Sequence, residues 1–519
     1  MARIVIINPR FETSYWGLEH ALPLLGAKAN LPVACLPLLA ALTPAEHEVV
    51  LVDENVEPID FDACARADIV ALTGMVVQRF RMKEILTELR RRRCFTIVGG
   101  PWVTVNEGYF GNLADVVFIG EAEQTWPKFL VDWSTGQYAR RYEQAEKTDM
   151  TQVPVPRFDL LKMRNYAVGS VQFSRGCPFT CEFCDIIVIF GRRPRIKTSR
   201  QVIAEIEALL AAGMDTAFIV DDNLIGNKKA IKAVLREVIA WQQARDYPMT
   251  FVTEASIDLA DDPELMQMLV DANVRSVFIG IETPNEAALK ETRKFQNLRK
   301  GPSLIEKVHA IQNTGVEVWC GMILGFDSDD ASIFAAQCRF IAEARIANAM
   351  MGMLAAIPKT PLYARLLKEG RIDPDDRPAF GTNVIPLQIG RAELLAGYIG
   401  VLRDLYTPEA YFARLEALYL DQRIEPEHTR RRHLRRRPLK LLTLNVLWLL
   451  EACAIFIRLM HHVGDRSLKR AYRLYLWRLL RRRRTPVVLQ VYAIKCAMHY
   501  HAHVMIEQML NDRKIINSF

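Results

Sequence analysis

The chain has 519 residues, half of them hydrophobic, with 26 glycines and 25 prolines. That is enough apolar material for two or three packed domains, and too little Gly and Pro for a low-complexity chain. Ten cysteines and no apolar leader at the N-terminus argue against a disulfide scaffold and for a reducing compartment, so a cytoplasmic location is expected. The net charge of +7 is unevenly divided: residues 421–519 carry 21 Lys/Arg against 7 Asp/Glu, and the rest of the chain carries 46 against 53. A basic excess confined to one segment points to an acidic surface as partner, either nucleic acid or anionic lipid.

Residues 1–147 alternate strands and helices. The Val- and Ile-rich runs 3–8, 48–52, 69–73, 95–99 and 116–119 read as buried parallel strands, with helices at 33–42 and 79–92. This is a doubly wound, Rossmann-like α/β pattern, which binds ligands outside the carboxyl ends of its strands. The turns there are Thr73-Gly74, Gly99-Gly100-Pro101 and Gly120-Glu121. No G-x-G-x-x-G follows the first strand, which argues against NAD. A linker with Pro154 and Pro156 is expected over 148–164.

A second βα series fills 165–370. Its strands read as 171–175, 217–222, 250–255, 276–282, 316–324 and 350–357, with helices between them. Six units make a partial (β/α)6, TIM-like barrel, whose chemistry belongs at the carboxyl ends of the strands. After its first strand come Cys177, Cys181 and Cys184, spaced C-x3-C-x2-C. Thiolates are the usual ligands of iron–sulfur clusters, and three of them hold a [4Fe–4S] cluster with one iron left open. Pro178 disfavours helix, so the segment reads as a loop wrapped around the sulfurs.

The cysteine spacing, with Phe183 just before the last sulfur, resembles the radical S-adenosylmethionine (SAM) superfamily. A doubly wound domain ahead of the barrel narrows the resemblance to its cobalamin-binding members. The segments 220–227, 280–284 and 358–362 resemble the branch that includes the hopanoid C-2 methylases.

By that resemblance Cys177, Cys181 and Cys184 hold the cluster, and Phe183, Asp222, Asn223, Glu254, Glu282, Gly321, Ile323 and Gly325 line the SAM site. Thr73, Gly74, Gly99, Gly100, Pro101, Gly120 and Glu121 are the corresponding candidates for cobalamin. The D-x-H-x-x-G motif that supplies a histidine to cobalt is absent, so cobalamin is expected to bind without one; His20 and His47 lack that context. The resemblance also implies the chemistry. One SAM methylates cobalamin. A second, on the open iron, yields a 5′-deoxyadenosyl radical that abstracts hydrogen from an unactivated carbon, which then takes the methyl group. An electron donor of flavodoxin or ferredoxin type is implied. Two alternatives remain at this point: the same radical used for ring closure, coupling or another group transfer, and a non-catalytic cobalamin sensor. Against the sensor stand the three cysteines. The stretch 29–36 departs from the hopanoid enzymes, which leaves the lipid substrate an expectation.

The tail, 371–519, reads as helical and basic. The apolar run 439–460 is interrupted by Lys440, Glu451 and Arg458 and flanked by the arginines of 430–437 and 481–484. A charge at a bilayer centre is costly, so the run is expected to lie in a membrane interface rather than span it. No nucleic-acid recognition module is apparent, and none is expected as partner. His461, His462, His499, His501 and His503 are expected in packing or surface roles rather than on a metal.

Overall fold

The computed structural model describes residues 1–299, 301–511 and 515–517. The first sheet is all parallel: β1 (Arg3–Asn8), β2 (Glu48–Asp53), β3 (Ile69–Thr73), β4 (Thr96–Gly99), β5 (Val116–Ile119) and β6 (Arg141–Glu143), in the order β2-β1-β3-β4-β5-β6. Alternate residues of each strand point to opposite faces, and both faces here are apolar. Val5, Ile7, Val70, Leu72 and Val98 pack on one side with Met82, Ile85 and Leu89 of the helix Arg79–Arg91. Ile4, Ile6, Ile69, Ala71 and Ile97 pack on the other with Leu36, Trp126 and Phe129. Helices on both faces are what continuous Val/Ile runs require. The order reverses between β1 and β3, which is where such sheets open a crevice. β6 was not anticipated. Its three residues alternate exposed, buried, exposed and carry one large apolar side chain, Tyr142, too short a signal to read.

The second sheet runs β14-β13-β12-β11-β10-β7, again parallel. Its strands are β7 (Gly169–Val171), β10 (Thr216–Ile219), β11 (Thr250–Ala255), β12 (Val274–Glu282), β13 (Glu317–Leu324) and β14 (Ala349–Met353). Between β7 and β10 lies an antiparallel pair, β8 (Ser174–Arg175) with β9 (Arg195–Ile196). This corrects the single strand expected over 171–175. The Asp221 carboxylate accepts from the Phe173 amide (2.7 Å) and the Ser174 hydroxyl (2.6 Å). Those bonds turn the chain out of the sheet after Val171. β10 likewise stops at Ile219, short of Asp221 and Asp222.

Helices of the tail close the amino-terminal end of this sheet. Glu427 accepts from Thr250 Oγ1 (2.9 Å) and Asn273 Nδ2 (3.0 Å), beside the start of β11. Lys495, buried in the helix Pro486–Asn511, pairs with Glu317 Oε1 (2.5 Å) at the start of β13 and bonds Asn348 Oδ1 (2.6 Å). His499 is buried between the Tyr472 hydroxyl (2.8 Å) and the Tyr406 carbonyl (3.0 Å), and burial pushes its pKa down to about 3. His501, its pKa lowered to about 4 by burial, meets the Ser14 carbonyl (3.0 Å). Both are neutral packing histidines. At the carboxyl ends the tail touches β14, where Asn517 accepts from the Met353 amide (2.9 Å) and donates to its carbonyl (3.0 Å); chemistry collects at the carboxyl ends of the strands before it.

Candidate active site

The cysteine loop leaves the β8–β9 hairpin through Gly176. Its φ is +96°, and a Cβ there would lie 2.9 Å from the Gly191 carbonyl, so a side chain would push the hairpin apart. The Gly176 amide donates to Asp222 Oδ2 at 2.6 Å, and the Cys177 amide to the Gly191 carbonyl at 3.2 Å. Cys181 is buried; Cys177 and Cys184 are half-buried. Two side-chain amides approach the sulfurs: Asn223 Nδ2 lies 3.9 Å from Cys177 Sγ, and Gln296 Nε2 lies 3.5 Å from Cys181 Sγ. Lys294 Nζ pairs with Glu282 Oε1 at 2.6 Å and lies 6.0 Å from the centre of the Phe183 ring. Burial works against the Lys294 ammonium, yet Glu282 and the sulfurs of Cys181 and Cys184 hold its pKa above the ordinary value.

Burial drives the thiols of Cys177 and Cys184 upward, so alone they would stay protonated and inert. Iron reverses this, because a coordinating thiol is deprotonated outright. Among the described residues no three His, Cys, Asp or Glu close on a single metal ion. The donor set suits a cubane instead, where each thiolate binds a different iron. Amide donors at the sulfurs and a cation behind them hydrogen-bond the thiolates and offset their charge, which tunes such a cluster.

The next strand ends supply carboxylates. Burial raises Asp221 to about 7 and Asp222 to about 6. Glu254, at the end of β11, makes no side-chain hydrogen bond among the described residues. Burial and the charges of Asp222 and Asp221 raise it to about 8. The cations of this corner, Arg175 and Arg195, are already engaged. Arg175 Nη1 lies 2.8 Å from Glu121 and 2.6 Å from Glu123, and Arg195 Nη1 lies 3.0 Å from Glu121. A partly exposed carboxylate with no cation beside it is a seat for one, as the SAM amino group is. Asn223 is less available, since its amide bridges Ser256 Oγ (3.1 Å) and accepts from the Ser256 and Ile225 amides.

The remaining candidates divide. Phe183 packs against Ile323 and Phe326 in one apolar cluster beside the cysteines. A Cβ on Gly321 would come 2.9 Å from the Phe278 ring, so that glycine makes room for a side chain of the neighbouring strand. Gly325, at φ +97°, is closed over by Leu394 and donates its amide to Asp329. Lys294 and Gln296 were not singled out by the sequence, because their partners, Glu282 and Cys181, lie 12 and 115 residues away in the chain.

In the first domain, Gly100 adopts φ +95°, and a Cβ would lie 2.4 Å from Thr73 Oγ1 and 2.9 Å from the Gly74 amide. The Thr73-Gly74 and Gly99-Gly100-Pro101 turns therefore nest against each other. The Gly120 amide donates to Thr104 Oγ1 (3.0 Å), tying in the third turn. Glu121 is committed to Arg175 and Arg195 and joins this edge to the cysteine hairpin. Two buried polar atoms on the same edge have no partner among the described residues, Trp102 Nε1 after β4 and Thr125 Oγ1 after β5. They are donors that a polar ligand laid over these turns would satisfy. Neither histidine of this domain reaches the edge. His47 accepts from the Ala2 amide (3.1 Å) at the opposite end of β1, and His20 faces His501 in the tail. Cys35 Sγ does reach it, 3.8 Å from Thr73 Oγ1.

Residues 171–333 match the family model of the radical SAM superfamily, and residues 360–514 match a domain of unknown function, DUF4070. An uncharacterized methyltransferase of Synechocystis is 39% identical over 418 residues, 79% of this chain and 77% of the relative. Hopanoid C-2 methylase of Rhodopseudomonas palustris is 33% identical over 80% of this chain and 79% of its own length. Among solved structures, the radical SAM methyltransferase TsrM of Kitasatospora setae, with cobalamin and a [4Fe–4S] cluster bound, superposes with a TM-score of 0.60. The identity is 17%, over 80% of this chain and 90% of that one. OxsB, a cobalamin-dependent SAM radical enzyme, gives 0.59 at 13% identity, covering 100% of this chain and 82% of that one.

Proposed function

The chain belongs to the radical SAM family of methyltransferases that includes hopanoid C-2 methylase, and from that membership we propose that it is a cobalamin-dependent C-methyltransferase acting on an unactivated carbon of an apolar substrate. The observation that carries the reading is the meeting of three cysteines on one loop with unneutralised carboxylates at the next two strand ends. Cys177, Cys181 and Cys184 would hold the [4Fe–4S] cluster. Glu254 and Asp222 would take the amino end of SAM, and Phe183 with Ile323 its apolar side. The turns at Thr73, Gly100 and Gly120, with Trp102 and Thr125, would take cobalamin, with no histidine on cobalt. When bound, these groups supply a 5′-deoxyadenosyl radical and a transferable methyl group; the protein orients them and excludes water.

The substrate class we read is a lipid, hopanoids among the candidates, and the electron donor a flavodoxin or ferredoxin. An enzyme on such a substrate would work in the cytoplasm, in peripheral contact with a membrane. The test is a stoichiometry. Anaerobically purified protein should carry about four irons per chain and form one 5′-deoxyadenosine and one S-adenosylhomocysteine per methylated product. Replacing all three cysteines with Ala should remove both the iron and the 5′-deoxyadenosine. Full iron retention in that variant would refute the cluster assignment.

A further inference from the structure

The tail contains a surface that neither the barrel nor the first domain explains. The helix Pro438–His462 has 25 residues, and so is roughly 37 Å long. Trp448, Ala452, Ile455 and Leu459 form its buried seam, spaced i, i+4, i+7, i+11, against the helix Pro486–Asn511. The opposite face is also apolar and stands in solvent: Leu439 is 79% exposed, Leu442 59%, Leu450 61% and Ile457 68%. The next helix, Arg466–Arg482, repeats the arrangement. Leu468, Tyr472, Tyr475 and Leu479 are buried, while Leu474 and Trp477 are exposed together with Arg470, Arg473 and Arg481. The Arg481 guanidinium lies 3.7 Å from the centre of the Trp477 ring.

We propose that the outer faces of these two helices seat the enzyme on an anionic bilayer surface, with the leucines below the headgroups and the arginines at phosphate level. An exposed apolar patch of this extent, rimmed by cations, marks an interaction site. An apolar stripe bordered by Arg, with a Trp at the edge, has the composition of a helix lying in the acyl–headgroup boundary. The helix Pro438–His462 is long and apolar enough to cross a membrane, yet it is tied down. Arg458 Nη1 bonds the Leu24 carbonyl of the first domain (3.0 Å), and Glu451 accepts from Gln490 of the partner helix (2.6 Å). Crossing would break the seam and both bonds. A second copy is a poor occupant, because Arg435, Arg466, Arg470, Arg473 and Arg481 would face their own equivalents. Nucleic acid matches the rim and not the apolar centre.

The experiment is flotation of the full chain, cluster reconstituted and without substrate, on vesicles of phosphatidylcholine alone or mixed with phosphatidylglycerol. Affinity for the anionic vesicles should be about tenfold or more higher, and should fall as salt rises above 0.1 M, where charges are screened over about 10 Å. Leu442→Glu, Leu450→Glu and Ile457→Glu together should abolish binding while iron content is kept, since all three side chains already face water. Arg470→Glu, Arg473→Glu and Arg481→Glu together should remove the preference for anionic lipid. Absent or equal binding to the two vesicle types would overturn the proposal. So would a dimer that the three apolar-to-Glu substitutions dissociate without any vesicle binding. Because the measurement needs no turnover, its failure leaves the methyl-transfer reading standing. Lost turnover in a protein that still binds vesicles would count against that reading instead.

Discussion

Lys294 stands where the cysteine loop, Phe183 and the end of β12 meet. Its ammonium interacts with the sulfurs of Cys181 and Cys184 and, among the described residues, pairs with one carboxylate, Glu282. A cation near an iron–sulfur cluster favours the reduced form, so Lys294→Gln should lower the midpoint potential. The expected drop is tens of millivolts, roughly 60 mV being a decade in a one-electron equilibrium. Redox titration followed by electron paramagnetic resonance measures this, and an unchanged or higher potential would show that the pair serves packing only. The carboxylates give a pH dependence. Asp222, Asp221 and Glu254 titrate near 6, 7 and 8 in the fold, against about 4 in an unfolded chain. The folded chain therefore holds more protons than the unfolded one across this window, and stability falls as pH rises from about 5 to 8. Melting temperature measured without SAM should drop over that range. Glu254→Gln should flatten the drop and raise the value at pH 8.5; a lower value there would contradict the assignment of Glu254 as uncompensated.

At the scale of elements, the β8–β9 hairpin decides whether the two sheets act as one site. Arg175 on β8 and Arg195 on β9 are both bound by Glu121, which follows β5 of the other sheet. Removing one partner of a buried pair leaves a buried charge, which typically costs about 3–5 kcal/mol. Arg175→Met should accordingly lower stability by that order and weaken cobalamin retention and iron loading together. Calorimetry with metal and corrinoid analysis checks this, and loss of only one cofactor would mean the hairpin serves a single domain. This hairpin also shows where sequence reading stops. β1, β3, β5 and β11 were legible to the residue, because runs such as Ile69–Thr73 are β-branched, buried on both faces and ended by turn residues. The cysteine loop was legible because its chemistry is local. β8 and β9 are two residues each and are set by Asp221 and Glu121, distant in the chain, so no periodicity announces them. Lys294 and Gln296 were hidden for the same reason. Glu121 and Glu282, read from their strand-end positions as ligand contacts, turned out to be held by cations of the protein itself.

The whole molecule is a barrel with two lids of different kinds. The doubly wound domain covers the carboxyl ends of the strands, where the cysteines and carboxylates gather. The tail closes the amino-terminal ends through Glu427, Lys495 and Arg414 and carries the basic excess outward. Chemistry, fold and surface thus lie on separate parts of one chain, and the central claim concerns the chemistry. It is tested most directly by mass spectrometry of extracts, with emphasis on lipids, from cells carrying the intact gene, a deletion, or the triple cysteine-to-alanine variant, grown on methionine with a deuterated methyl group. The account predicts an apolar compound present only with the intact protein, heavier than its precursor by one methyl group and carrying the label on carbon. Identical extracts from all three strains, or a product that forms without incorporating the labelled methyl, would contradict it.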